Sequence, residues 1–294
     1  MAKILVVLDP IQNEQTALIR CKEIADVTDI DVHVVLFIAY DEIPMDSSFL
    51  NSKREWLAKV VEKLGDIKGN VTSAVVPFER LYEEIIKTAR KEKADFIFKP
   101  IRRHSILQRL FYTSTDWNLI RLCPVPLLLV SSGQSVAGNP VIAAVDVCTE
   151  DEEHIELNRI VMSQAQIVAR VLGSKLLVAN AFSVPASVMA GGGQKERMSY
   201  EVARAKHVDH LEQSKSLAHE FGLTDDEAIF VREGTPSAVV NALAAEKQAA
   251  AIVIGTVARS GLQGLIIGNT AEAVLENSKT DVLVVKQADF HSPI

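Results

Sequence analysis

Short apolar runs recur along the chain, and longer segments of mixed polar and apolar residues separate them. Continuous apolar runs are typical of strands buried on both faces, as in a parallel sheet. Between the runs apolar residues return at helical spacing, as at Ala17, Cys21, Ile24 and Val27. A matching stripe is formed by Leu157, Val161, Ala165, Val168 and Leu172. Alternating strands and helices predict βαβ units and parallel sheets.

The pattern occurs twice along the chain, with the same order of elements. The runs that predict strands lie at residues 3–9, 34–40, 71–76, 95–98 and 125–130, and again at 141–146, 175–182, 228–231, 249–254 and 282–285. A segment rich in Gly, Ser and Asn, residues 131–139, lies between the copies and is the natural linker. We therefore predict two tandem domains of ordinary size, residues 1–134 and 135–294.

Each domain is expected to be α/β and Rossmann-like, with a five-stranded, mainly parallel sheet flanked by about four helices. The expected strand order is the flavodoxin-like 3-2-1-4-5, in which a ligand crevice opens between the carboxyl ends of strands one and four. In the second copy Asp146 ends strand one and Gly255 follows strand four. These two residues should therefore face one crevice.

The last strand of each copy is strongly apolar. An unpaired edge strand of this kind, here residues 125–130 and 282–285, invites aggregation. We therefore expect the two last strands to pair within the chain, which makes the two domains an intrachain pseudo-dimer. A homodimer of whole chains is compatible with the same sequence.

Composition excludes several classes of protein. With 294 residues, 48% hydrophobic and 23% charged, the chain can bury two ordinary cores. A net charge of −7 without a basic stripe argues against a nucleic-acid partner. No apolar run is long enough for a membrane span, and the first residues lack a signal-peptide pattern. Three cysteines without a CxxC pair suit reduced thiols, so we expect a cytoplasmic protein.

The segment after strand four of the second copy predicts a phosphate pocket. Gly255 follows the apolar run, Arg259 supplies a cation, and Gly268, Asn269 and Thr270 open a helix. Glycines after a buried strand let backbone N–H groups approach an anion, and a helix start adds a positive dipole end. The first copy has bulkier side chains at the aligned positions: Lys99, Arg102 and Tyr112 replace Gly255, Ala258 and Gly268. We expect the first site to be filled by its own residues and to bind no nucleotide.

These residues also have structural interpretations, which the sequence leaves open. Gly255 and Gly268 would suit a tight turn and a helix entry. Asn269 with Glu272 resembles a capping box, and Asp146 would either contact a ligand or cap the helix that follows it.

The chain resembles the tandem universal stress proteins, and within that family the bacterial E type. The resemblance spans residues 3–286 and is most specific at 115–117, 123–124, 255–257 and 268–272. It implies two Rossmann-like domains and a cytoplasmic stress-response role. In one branch of the family it also implies binding of ATP, with Mg²⁺, through the motif Gly-x2-Gly-x9-Gly-Ser/Thr.

In this chain that motif falls on Gly255, Ala258, Gly268 and Asn269. Two positions depart from it: Ala258 adds a methyl group, and the Asn269 amide cannot reproduce a hydroxyl. Family contacts to adenine and ribose map to Asp146 and Ala181, at the ends of strands one and two.

Catalytic motifs are absent, because the chain has neither GxxxxGK[ST] nor GxSxG, and any hydrolysis should be slow. His207 and His210 are expected on a solvated helix face, and the acidic residues 150–153 at a helix start. Residues 183–199 form an expected loop beside the crevice, where apolar side chains allow an apolar or lipid-like ligand instead of a nucleotide. A ligand-free interaction scaffold is the remaining alternative.

Overall fold

The computed structural model describes residues 1–44, 47–104, 109–111, 113–184, 194–256, 259–261, 264–266 and 269–294. The first half contains β1 (Ala2–Leu8), α1 (Thr16–Ala25), β2 (Ile30–Ala39), α2 (Ser47–Val61), β3 (Val71–Phe78), α3 (Leu81–Glu92), β4 (Phe96–Pro100), β5 (Arg102–His104), β6 (Arg109–Phe111), α4 (Ser114–Leu122) and β7 (Leu127–Val130). The second half contains β8 (Val141–Ala144), α5 (Glu152–Val171), β9 (Leu176–Phe182), α6 (Gln194–Glu220), β10 (Ile229–Glu233), α7 (Pro236–Glu246), β11 (Ala251–Gly255), β12 (Arg259–Gly261), β13 (Gly264–Ile266), α8 (Asn269–Asn277) and β14 (Asp281–Val285).

Ten of these strands form one continuous sheet in the order β10-β9-β8-β11-β14-β7-β4-β1-β2-β3. Each half has the predicted order 3-2-1-4-5, with parallel neighbours inside the half. The halves meet where β14 runs antiparallel to β7, with Val282 opposite Leu129 and Val284 opposite Leu127. The predicted pairing of the last strands is therefore confirmed.

Helices cover both faces of the sheet. Neighbouring residues of a strand are apolar and pack into cores on opposite faces. In β1, Ile4 and Val6 pack into one core while Leu5 and Val7 pack into the other. One core includes helices α1, α2, α5 and α6, and the other includes α3, α4, α7 and α8. This two-sided burial explains why the strands appear as continuous apolar runs. None of the described helices is long and apolar enough to cross a membrane.

Three features differ from the sequence-based expectations. The hairpins β5–β6 and β12–β13 were not predicted, because each strand has only three residues. The expected loop 183–199 is wrong at its end, since α6 begins at Gln194, in a charged stretch without a clear apolar stripe. Val27 lies beyond α1 and is 61% exposed, so it does not belong to the stripe on that helix.

The linker is held by a buried ionic network. Arg20 Nε donates to Asp281 Oδ2 at 2.7 Å, and both side chains are almost fully buried. Asp281 Oδ1 accepts hydrogen bonds from the amide and the hydroxyl of Ser131, both at 2.8 Å. Glu23 accepts from the backbone N–H groups of residues 136–137 at 3.0 and 2.9 Å. The linker between the two copies is therefore hydrogen-bonded to residues of both halves.

Candidate functional site

The predicted crevice of the second half would open at the carboxyl ends of three neighbouring strands. β8 pairs with β11 and with β9, so the carboxyl ends of all three strands are neighbours. Asp146 follows β8, Gly255 ends β11, and Ala181 lies near the end of β9, where it is half-buried. The structure thus brings these three predicted residues to the same edge.

Asp146 is held by buried amide side chains. Its N–H donates to Asn158 Oδ1 at 3.0 Å, and its carbonyl accepts from Asn158 Nδ2 at 2.6 Å. The preceding carbonyl, of Val145, accepts from Asn180 Nδ2 at 2.8 Å. Asn158 and Asn180 are buried, whereas Asp146 is exposed. The protein therefore presents this carboxylate from an immobilised backbone.

Asp146 does not cap the helix that follows. That helix, α5, begins at Glu152, and the Asp151 side chain caps it by accepting from the N–H of Glu153 at 3.0 Å. The interpretation of residues 150–153 as a helix start is thereby confirmed. Asp151 therefore has the capping role considered for Asp146, and the exposed side chain of Asp146 stays available for a ligand.

His210 supports the same strand ends from α6. Its Nδ1 lies 2.6 Å from Asn180 Oδ1. The Asn180 amide nitrogen donates to the Val145 carbonyl, so Oδ1 is the acceptor and Nδ1 of His210 carries the proton. Burial lowers the pKa of His210, so the imidazole is neutral near pH 7 and its Nε2 is an acceptor. Sequence reasoning missed this link and wrongly placed His210 on a solvated face.

Their surroundings raise the pKa of all three thiols of the chain. Cys148 donates to Asp209 Oδ2 at 3.6 Å, and partial desolvation together with the Asp209 and Asp146 carboxylates raises its pKa to about 11. Burial raises the pKa of Cys123 to about 12 and that of Cys21 further. These thiols are protonated at neutral pH. Within the described ranges, no three His, Cys, Asp or Glu side chains are grouped so as to hold a metal ion.

Packing against α5 leaves no room for a side chain at Gly255. A Cβ at this position would lie 2.5 Å from Cγ of Leu157, because α5 passes close over the end of β11. Contact with α5 thus explains this glycine, and no left-handed backbone is involved. Any contact between its backbone and a ligand would be additional to this role.

The remaining predicted residues lie after β11, up to the first turn of α8. Arg259 begins β12, while Asn269 and Thr270 are the first residues of α8. Asn269 is thus a helical residue, whereas a capping box needs the residue before the helix. Ala258 and Gly268 lie outside the described residues. The hairpin strand β13 contacts α4, so this segment touches the first half of the chain.

Lys286 is a second cation near this segment, and the sequence analysis missed it. Its Nζ donates to Thr256 Oγ1 at 2.8 Å and to the carbonyl of Ile120 in α4 at 2.7 Å. Burial lowers the pKa of Lys286 to about 8. A lysine directly after the last buried strand, beside strand four in a 3-2-1-4-5 sheet, is the sequence signal that would have identified it.

In the first half, Lys99 takes part in a buried ion pair. Lys99, which aligns with Gly255, places Nζ 2.7 Å from Asp116 Oδ1, and both side chains are buried. Asp116 Oδ2 accepts from the N–H and hydroxyl of Thr113, which completes a capping box on α4. The filling of the aligned site by Lys99, Arg102 and Tyr112 stays a prediction. Near the end of β1 lies a cavity of about 570 Å³. Its described lining includes Asp9 and Glu14 but no Lys, Arg or His, which disfavours phosphates.

Comparisons with known proteins agree with this architecture. The model of the universal stress protein family matches residues 1–131 and 143–286. Universal stress protein E of Salmonella typhi is 27% identical, over 99% of this chain and 96% of the relative. A crystal structure of a functionally unknown protein from Pseudomonas aeruginosa PAO1 is 30% identical with a TM-score of 0.78, over 98% of this chain and 94% of that one. A universal stress protein from Archaeoglobus fulgidus, 18% identical over 97% of this chain and 98% of that one, shares the fold with a TM-score of 0.66.

Proposed function

Because this chain belongs to the universal stress protein family, we propose that it is a cytoplasmic stress-response protein that binds one adenine nucleotide per chain. The ligand is ATP with Mg²⁺, and the site is the crevice of the second domain, residues 135–294. The observation that carries the proposal is the exposed Asp146 carboxylate on a backbone fixed by two buried asparagines.

A ribose is the part of the nucleotide that suits Asp146. Its hydroxyl groups are neutral donors, and a carboxylate on a fixed backbone accepts such hydrogen bonds with only its side-chain torsions left to order. The carboxylate would repel a phosphate at the same place. The nucleotide is therefore oriented with its ribose at the end of β8 and its phosphates toward β11 and the start of α8.

The phosphate end of the proposed crevice has three sources of positive potential. The first turn of α8, from Asn269, offers backbone N–H groups and the positive end of a helix dipole. Lys286 is hydrogen-bonded to Thr256, the residue that follows β11. Arg259, at the start of β12, adds a third positive group to the same segment.

The described residues around the crevice favour binding over catalysis. The thiol of Cys148 is protonated and donates to Asp209, while the neutral His210 keeps Nε2 as an acceptor. Covalent catalysis needs a nucleophile paired with a base, and the described hydrogen bonds do not pair Cys148 with His210. We therefore propose a nucleotide-binding protein in which any ATP hydrolysis is slow.

Replacing Asp146 with Ala should weaken ATP binding by roughly ten- to a hundredfold, the value of one or two charge-assisted hydrogen bonds. Isothermal titration calorimetry of the full chain should give one site for the wild type. The matched control is Asp209→Ala, which removes a nearby negative charge without removing the proposed ribose contact. If both variants bind like the wild type, or if two equivalent sites are found, the proposed site is wrong. Absence of ATP binding to the wild type would disprove the nucleotide proposal itself.

ATP affinity should fall as the pH rises through about 8, the pKa of Lys286, since the amine then loses the charge that attracts the phosphates. We expect a loss of roughly three- to tenfold between neutral pH and about pH 9.5. In Lys286→Met the affinity should be lower at neutral pH and nearly independent of pH over this interval. An equal pH dependence in both proteins would show that Lys286 does not contact the nucleotide.

A further inference from the structure

A cavity of about 160 Å³ lies on one face of the sheet, where the two halves meet. Its floor is formed by Phe98 of β4, Leu128 of β7 and Leu283 of β14, which come from both halves. Helix α1 contributes Ile24 to one wall, and α5 contributes Val168 to the other. The cavity is therefore bounded by both halves of the chain and lies on the face that carries α1 and α5.

The lining is almost entirely apolar. Besides aliphatic and aromatic residues, it includes Thr28 and the charged residues Arg20 and Asp281, whose charged groups are already paired with each other at 2.7 Å. Arg20 also donates to the carbonyl of Gln134 at 3.0 Å, and Asp281 accepts twice from Ser131. These two charged side chains are satisfied by the protein itself. An occupant consequently gains apolar contacts and has no charged partner to recruit.

The size of the cavity indicates what it holds. Protein interiors are close-packed and have few voids larger than a water molecule. An apolar cavity of roughly 150 Å³ in another protein stays free of water and takes up benzene or xenon. A void of about 160 Å³ therefore accommodates a ring or a branched group of roughly six to eight carbon atoms.

The rim of the cavity is apolar as well. Ile167 lines the cavity and is 42% exposed, which is high for a large aliphatic residue in a helix. Val168, Val171 and Ile24 also line the cavity and are half-buried. A hydrocarbon group can pass this rim without displacing a charged side chain.

From this geometry we propose that the cavity is a binding site for a compact hydrocarbon group, either a free small aromatic molecule or the end of a short alkyl chain. The site is separate from the crevice of the second domain and does not depend on the nucleotide proposal. It also differs from the apolar-ligand site expected beside residues 183–199, because it lies above the central strands. Since the occupant contacts both halves, its binding stabilises their junction.

The test uses the full chain with toluene and with octanoate as probes, followed by thermal unfolding and by calorimetric titration. Wild type should bind at least one probe saturably and unfold at a higher temperature in its presence. Binding of toluene alone indicates a free small molecule, whereas binding of octanoate as well indicates a chain end. If neither probe binds saturably, the proposal is overturned.

Two filling variants locate the site. Val168→Phe on α5 and Ala251→Ile on β11 each add volume from a different wall, and each should weaken probe binding by at least about tenfold. Using both keeps the test valid if one of them fails to fold. The matched control is Ile155→Phe, because Ile155 lies on the same helix, is 36% exposed and does not line the cavity. Unchanged binding in a folded filling variant, or an equal loss in Ile155→Phe, would place the probe elsewhere.

Discussion

Replacing Arg20 with Met should lower the free energy of unfolding by about 3–5 kcal/mol, the cost of leaving one charge of a buried pair without its partner. Asp281 would keep its two hydrogen bonds from Ser131, but its carboxylate would lose the guanidinium 2.7 Å away. The network also holds the linker, so the loss should affect the junction of the halves. Chemical denaturation followed by circular dichroism measures the change.

The control for this prediction is Arg159→Met. Arg159 pairs with Glu220 at 3.1 Å, but both side chains are nearly half exposed, so the expected loss is only about 0–1 kcal/mol. The double variant Arg20→Met/Asp281→Asn removes the unpaired charge and should recover part of the stability. Equal losses in Arg20→Met and Arg159→Met would show that burial does not determine the strength of the Arg20 pair.

Separating the two halves should make the second one self-associate. In the full chain β14 is covered by β7, and Val282, Leu283 and Val284 are buried. A fragment of residues 135–294 would expose this strand with its apolar side chains and unpaired backbone groups, which favours pairing with another copy or aggregation. Analytical ultracentrifugation should therefore show dimers or larger species.

Co-expression with residues 1–134 is the matching control. The first half supplies β7, so a soluble complex with one copy of each fragment should replace the self-associated species. A fragment 135–294 that remains a monomer at high concentration would contradict the prediction. In that case the β14–β7 pairing would not be needed to protect the edge.

The fold was largely predictable from local sequence. Strands with both faces buried leave continuous apolar runs, and α1 and α5 leave stripes at helical spacing, because these patterns depend on neighbours along the chain. The pairing of β14 with β7 followed from the need to protect two apolar edges. The short hairpins and the start of α6 were missed, since three-residue strands and a charged helix segment carry little periodicity.

The neighbouring strand ends of the candidate site were predicted from the sequence, but the groups that support them were not. Strand order alone placed Asp146 and Gly255 at one edge. The hydrogen bonds that support these strand ends join residues far apart in sequence. Asn180 and His210 are 30 positions apart, and Lys286 and Ile120 are 166 positions apart. Burial and partners at such distances determine the neutral state of His210 and the low pKa of Lys286. No pattern of neighbouring residues encodes them.

The sequence by itself therefore determined the class of fold, the duplication and the edge of the sheet that carries the candidate site. Only the tertiary structure decided which polar groups are buried, how the linker is held and where a void remains between the halves. The physical reason is that secondary structure and strand burial follow from local periodicity. Ion pairs such as Arg20–Asp281 and the cavity beside them depend instead on how surfaces from the two halves fit together.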